Sequence, residues 1–392
     1  MPDIVILMAR FGNGHASAAA NIAEAIRLER PDLSVAIADA YAGLQPWLYQ
    51  LLQRLYRRVM NRHPRTWRLF FRLVSRPGAA VRPALANPRM REFFATFAEK
   101  YRPKVVVTTY PMYSAALGHF YGDGAARPFR LVSVVTDSIT IHPAWTEGPS
   151  DLYLVADELT AAHLVHGGIP AATVLVTGFA VPPVFAEKAR AAAAAATGAS
   201  AATGTATAGP RILLLPNLPR RELFEVLAIL GSRPEVKLVL SMFSRKELIP
   251  ATERFARTLP AAVEVHPWIP DVSHQLFETD LVVTKAGGAL VHEAIAAACP
   301  MVLAQVTPGQ EEGNARLVEA MGLGLVAPDY RRLRKALAFL RDTDFVALPA
   351  MRRNLLAMRR LDGARRIARV AAALAGGAEP TAAAAGERSP RS

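Results

Sequence analysis

The sequence predicts an α/β protein built from two doubly wound, Rossmann-like domains facing a cleft. Three observations predict it. Short apolar runs of buried-strand type alternate with helical stretches, the signature of parallel βαβ units. The alternation stops in one Ala/Thr/Gly-rich segment and then restarts. The chain has 392 residues, 52% of them hydrophobic, enough for two cores of ordinary size.

Taken in order, residues 3–8 are the first expected strand, 9–15 a loop holding Gly12, Asn13 and Gly14, and 16–28 an alanine-rich helix. Further strands are expected at 35–40, 104–109, 131–136, 152–156 and 174–177. Residues 189–209 carry no large apolar side chain, cannot build a core and read as a linker. The second set of strands falls at 211–215, 237–242, 263–265, 281–284, 301–304 and 323–326. The domains are therefore 1–188 and 210–350, and the Ala-rich polar tail 376–392 is expected to be disordered. In open parallel sheets ligands sit at the carboxyl ends of the strands, so the loops there are the place to look for chemistry.

The single cysteine, Cys299, argues against a disulfide framework or a multi-cysteine metal site. No run of 18 apolar residues predicts a spanning helix. The start has no basic region before its apolar run, so it reads as a strand rather than a signal peptide, and a cytoplasmic protein is expected. The net charge is +13, and it is unevenly placed. Residues 44–104 hold 14 Arg and Lys against two acids, and 331–369 hold 12 against three. Nucleic acid and an anionic membrane surface are the two partners such segments suggest. Arg outnumbers Lys 39 to 7, so a compositional bias placing Arg on solvated faces is the plain alternative. Residues 44–104 are amphipathic, with Trp47 and Trp67 among Arg54, Arg57, Arg58, Arg65, Arg68 and Arg72. That pattern fits an interfacial helix on anionic lipid, and equally a packed helix with a wet basic face.

Several motifs fall at strand ends. Gly12-Asn13-Gly14-His15 joins the first strand to the first helix, where backbone can approach a ligand and a helix start favours negative charge. His15 stands where a general base belongs, or caps and packs the turn. Thr136-Asp137 ends another strand, followed by His142 and Trp145. Asp137 suits a cleft acid or a turn former. In the second half, Lys285-Ala286-Gly287-Gly288 opens a helix that carries Glu293. Two glycines there can cradle a diphosphate, and a nearby carboxylate can accept both ribose hydroxyls. The dense polar run Pro308-Gly309-Gln310-Glu311-Glu312-Gly313-Asn314 suits sugar hydroxyls, and the backbone of Trp268 and Ile269 suits a base edge. No His/Cys/Asp set has metal-ligand spacing, and no helix-turn-helix or stacking platform speaks for nucleic acid.

The joint order of these motifs, together with Thr177-Gly178, Pro182 and Phe185, resembles glycosyltransferase family 28. Within it the likeness is to the diacylglycerol glycosyltransferases, and it runs from about residue 3 to 370. The resemblance implies a GT-B fold, with a lipid acceptor on the first domain and a UDP-sugar on the second. It implies His15 as base, Glu293 as ribose ligand, and Gln310, Glu311 and Asn314 around the donor sugar and diphosphate. It also implies inversion at the anomeric carbon, no metal or other cofactor beyond the UDP-sugar co-substrate, and docking of the basic segment on the cytoplasmic face of a membrane. The segment 351–375 is expected to pack back on the first domain as a helix. One position departs from the family. Its glycine-rich loop after the first strand of the second domain is here Leu215-Pro216-Asn217-Leu218-Pro219-Arg220-Arg221. Either an arginine there supplies charge in place of backbone contacts, or donor binding is weakened or redirected. N-acetylglucosamine transfer to a polyprenyl-linked acceptor, sugar-nucleotide epimerisation, and lipid or nucleotide binding without catalysis are the competing readings.

Overall fold

The computed structural model describes residues 1–380 except 12–13, 44–50, 52–53, 56–70, 72, 74, 77, 79–80, 123–126, 200–208, 216–217, 243–244 and 310. Gly12, Asn13, Trp47, Arg57, Arg58, Arg65, Trp67, Arg68, Arg72 and Gln310 therefore lie outside the described residues, as does most of the expected tail. Between 81 and 101 the basic segment is helical, in three short pieces: Val81–Ala86, Pro88–Ala95 and Phe97–Tyr101.

The chain divides into two compact units. The first comprises Met1–Pro183, Thr307–Gly313 and Asp362–Ser392; the second comprises Val184–Val306 and Asn314–Leu361. Each is built on a six-stranded sheet whose paired strands all run parallel. In unit 1 the strands are β1 (Ile4–Leu7), β2 (Val35–Ala38), β3 (Val105–Thr108), β4 (Arg130–Val134), β5 (Leu152–Val155) and β6 (Val174–Val176). Their spatial order is 2-1-3-4-5-6. In unit 2 they are β7 (Arg211–Leu214), β8 (Lys237–Ser241), β9 (Ala262–His266), β10 (Leu281–Thr284), β11 (Met301–Ala304) and β12 (Gly324–Ala327), ordered 12-11-10-7-8-9. Each sheet thus has a switch point, β1/β3 in the first and β10/β7 in the second, where the order reverses and a crevice opens at the strand ends.

The strands are continuous apolar runs because both sheet faces are covered. In unit 1, Ile4, Ile6, Val105 and Val107 pack on one face, against the helices Gly14–Glu29 and Gly363–Ala375. Val5, Leu7, Val106 and Leu131 pack on the other, with Phe94, Phe97 and Tyr113. Each fully buried side chain of this kind contributes about 1.5–3 kcal/mol relative to exposure. The unit 2 core is likewise aliphatic and is closed by the helices Arg220–Leu230, Tyr330–Asp342 and Leu348–Met358. Cys299 is fully buried in this unit, and burial pushes its thiol up to about 12.

Two boundaries differ from the sequence expectation. The helix Val184–Ala199 crosses the junction placed at 188/189, because alanine, which made the segment look like a linker, is also the best helix former. The segment 351–375 is two helices rather than one. Leu348 and Met351 of the helix Leu348–Met358 pack in the unit 2 core, and Arg352 donates to Thr279 O and Asp280. Only Gly363–Ala375 lies on unit 1, where a Cβ on Gly363 would sit 2.0 Å from Phe179 O and where Arg365 pairs with Glu29. Part of the second basic stretch is paired locally: Arg332 with Asp329, Arg334 with Glu225 and Arg341 with Asp342.

Candidate functional site

His15 is the second residue of the helix Gly14–Glu29 and follows β1 directly at the unit 1 switch point. Its carbonyl accepts from the Thr109 hydroxyl at the end of β3, 3.0 Å away, which ties the helix start to the neighbouring strand. The ring is half-buried. Nδ1 lies 2.9 Å from the Thr136 hydroxyl after β4, and Tyr110 packs edge-on at 5.2 Å. Burial lowers the imidazole pKa below its ordinary value, while the charge of Asp137 and a backbone hydrogen bond involving Thr109 raise it. The net direction is down, so the ring is neutral near pH 7. A proton on Nδ1, donated to Thr136, leaves the Nε2 lone pair to accept another. No described atom lies within 4 Å of where a Cβ on Gly14 would stand.

Asp137 is half-buried and accepts from the Trp145 indole N–H at 2.8 Å. Trp145 corrects the sequence reading. It is 0% exposed, in a cluster with Val135, Tyr153, Val155 and Leu164, so it does not line a cleft. A Trp with a polar neighbour buries its ring and spends its N–H on that neighbour, here the carboxylate. His142 is half-buried; its Nδ1 accepts from Ala144 N, which caps the short turn Pro143–Trp145, and its ring meets Phe71 at 5.5 Å. Sequence reasoning missed the aromatic group beside His15. Phe11 packs on Tyr41 at 4.9 Å and on Tyr110 at 6.1 Å. All three follow the ends of β1, β2 and β3, and that placement is the signal that marks them.

The run Thr307–Gly313 belongs to unit 1 rather than to the second domain. Gly313 explains part of this. A Cβ there would lie 1.7 Å from Ser138 O, so only glycine permits the approach. Glu311 is buried, and its carboxylate accepts from Thr307 N at 3.0 Å, bracing its own loop.

In unit 2, the loops after β7 and β10 meet at the second switch point, around a small, largely enclosed cavity lined by Leu214, Leu218, Thr284 and Lys285. The helix Gly288–Ala296 begins behind N-cap Gly287 with no side-chain cap and no acid in its first turn. The helix Arg220–Leu230 begins behind Pro219, also without a side-chain cap. Uncapped helix starts leave N–H groups directed at whatever occupies the crevice. The side chain of Arg220 folds back over Phe224, and Arg221, 91% exposed, pairs with Glu225. Leu218 is buried and its carbonyl accepts from Arg245. Asn314 Nδ2 donates to Ala286 O at 2.9 Å, which holds the loop before Gly287, while its buried Oδ1 has no partner among the described residues. Glu293 is half-buried, and burial alone pushes its carboxyl up to about 7. Trp268 is 50% exposed and Ile269 buried in the loop after β9. Among the described residues, no three His, Cys, Asp or Glu side chains cluster as a metal site, and no helix is long and apolar enough to cross a membrane.

Two parallel six-stranded sheets of this order, each with polar loops at its switch point, define a GT-B fold. The solved structure of MurG from Acinetobacter baumannii superposes with a TM-score of 0.61 at 14% identity, covering 94% of this chain and 98% of that one. The family model of monogalactosyldiacylglycerol (MGDG) synthase matches residues 15–181. The processive diacylglycerol beta-glucosyltransferase of Bacillus pumilus is 24% identical over 364 residues, 90% of each chain. The chloroplastic monogalactosyldiacylglycerol synthase 3 of Arabidopsis thaliana is 26% identical over 385 residues, 90% of this chain and 77% of that protein. The chain therefore resembles the diacylglycerol glycosyltransferases along nearly its whole length.

Proposed function

We propose that this protein is a hexosyltransferase that moves a sugar from a UDP-sugar to a diacylglycerol-type lipid at a membrane surface, with inversion at the anomeric carbon. The observation that carries the reading is that His15 follows β1 and Gly287-Gly288 follow β10, at the two switch points of a fold shared with such relatives, with Asp137 following β4 and Glu293 on the helix that Gly288 opens. In unit 2 the uncapped N–H groups at Gly288 and Arg220 take the diphosphate, and Glu293 accepts the ribose hydroxyls. Trp268 and Ile269 take the base edge, and Gln310, Glu311 and Asn314 surround the donor sugar. In unit 1 the acceptor hydroxyl approaches His15 beside His142 and the glycine loop.

The step is a single displacement. The acceptor oxygen attacks the anomeric carbon, the bond from that carbon to the diphosphate oxygen breaks, and UDP leaves with the electron pair. The hydroxyl proton passes to His15, which its neutral state permits. The UDP-sugar is a co-substrate, and the chemistry calls on no metal or other cofactor. The basic segment 44–104 holds the enzyme peripherally on the anionic cytoplasmic face of the membrane, which supplies the acceptor. The test is turnover of UDP-glucose, UDP-galactose and UDP-N-acetylglucosamine with diacylglycerol in anionic vesicles. A glycolipid product is expected; hydrolysis or epimerisation of the donor without lipid product overturns the reading.

A further inference from the structure

Ile139 has a φ of 51°, a left-handed conformation that a β-branched residue rarely adopts. Such a conformation persists only where its surroundings over-determine it. The surroundings here are specific. The Ile139 N–H donates to Thr160 Oγ1 at 2.9 Å. The Thr160 hydroxyl donates to Asp157 Oδ2 at 2.9 Å, and the Thr160 N–H donates to Asp157 Oδ1 at 2.9 Å. Thr160 is 0% and Asp157 2% exposed. A threonine hydroxyl has one proton. Because the carboxylate takes it, a lone pair is left facing Ile139, and a charged acceptor polarises the hydroxyl further.

We propose that the Asp157–Thr160 pair, acting through the backbone of Ile139, is the device that positions the Asp137 carboxylate for His15. The kink lies two residues after Asp137, whose carboxylate is fixed on its other side by Trp145. It lies one residue after Ser138, whose carbonyl is the surface Gly313 approaches. An extended backbone at 139 would redirect all three residues. Asp157 also caps the helix Glu158–His166, so the strut is anchored in a regular element and not in the loop it controls. Thr160 and Asp157 touch no substrate and are positioning residues. The inference rests on the reading of His15 as base.

The test reads His15 itself. Asp137 is the charged group whose field acts on it; its other neighbours are Tyr110 from the end of β3 and the hydroxyl-bearing Thr109 and Thr136. Loss of a fixed negative charge lowers the proton affinity of an imidazole. In full-length Thr160→Val, the NMR titration midpoint of His15, assigned by its absence in His15→Gln, should fall by about 0.5–1 pH unit. The acid limb of the kcat/KM profile should move the same way, and kcat should drop about 10-fold, with UDP affinity unchanged. Thr160→Ser should restore the wild-type values. Thr160→Val combined with Ile139→Gly should recover part of the shift, because glycine takes the left-handed conformation freely. Asp157→Asn keeps a helix cap, guards against a folding defect in the first variant, and should shift the midpoint in the same direction. If the His15 midpoint and the pH profile of both Thr160→Val and Asp157→Asn overlay the wild type, with only thermal stability lowered, the strut merely supports the fold. If the wild type transfers no sugar, the enzymatic reading fails while the titration still decides the strut.

Discussion

The two switch points occupy equivalent places in two similar sheets, yet they are furnished in opposite ways. Beyond the ends of β1 and β4 side chains hold one another: His15 on Thr136, Asp137 on Trp145, with a strained backbone nearby. At the β10/β7 boundary the contacts on offer are backbone. Two helix starts lack side-chain caps, and burial alone acts on the half-buried Glu293 carboxyl. On the proposed function the first arrangement moves the proton and the second takes the anionic and hydroxyl groups of the donor. On that reading chemistry and donor binding separate by mutation.

The largest effect should come from the first region. His15→Ala should cost about 10²–10⁴-fold in kcat while UDP affinity, measured by calorimetry, stays within error. Near-normal turnover would move the base to another group, Asp137 first. Glu293→Ala should do the reverse, weakening UDP binding by roughly 1–3 kcal/mol; an unchanged affinity would remove the nucleotide from this helix.

Glu293 also sharpens the contrast through pH. Burial pushes its carboxyl up to about 7 in the folded chain, above its ordinary value of 4.5. Burial favours the protonated carboxyl, so its stability advantage is present below pH 4.5 and is lost as pH rises through 7. Glu293→Gln should therefore raise Tm at pH 8, by on the order of 2 kcal/mol in stability, and leave it unchanged near pH 4. In the wild type, UDP should bind the ionised form and release a proton near pH 6.5, seen as a buffer-dependent calorimetric enthalpy that Glu293→Gln abolishes. A stability gain equal at both pH values would trace the effect to something other than this carboxyl.

The smallest expected effect per residue belongs to the basic segment. Changing Arg54, Arg57, Arg58, Arg65, Arg68 and Arg72 to Gln should weaken co-sedimentation with anionic vesicles, by up to about 1 kcal/mol for each side chain that reaches lipid. Transfer to lipid should fall with it while UDP binding holds. Equal binding of wild type and variant to neutral and anionic vesicles would leave the arginines as a solvated face.

Why the strands were legible and the site only half so has one physical explanation. A strand buried on both faces needs apolar residues at every position, so Val105–Thr108 or Leu281–Thr284 announces itself locally. Glycines and a histidine at a strand end are local signals too, and both motifs do lie at switch points. Burial is not local. Trp145 reads as a cleft aromatic until the cluster around it is seen, and Thr160 reads as an ordinary helix residue until Ile139 is found 21 positions away in sequence and 2.9 Å away in space. The alanine run after 188 misled for a different reason, since the residue that cannot fill a core is also the one that most readily forms a helix.

Cys299 has a practical consequence. It is the only thiol in 392 residues, it is fully buried, and its pKa near 12 leaves almost no thiolate at neutral pH. The folded chain should therefore resist maleimides and other thiol reagents, which a labelling assay of the native protein would show. A cysteine introduced at an exposed position, Arg54→Cys for example, becomes the single site of labelling. One fluorophore or spin label there would report lipid contact directly, with no background substitution needed.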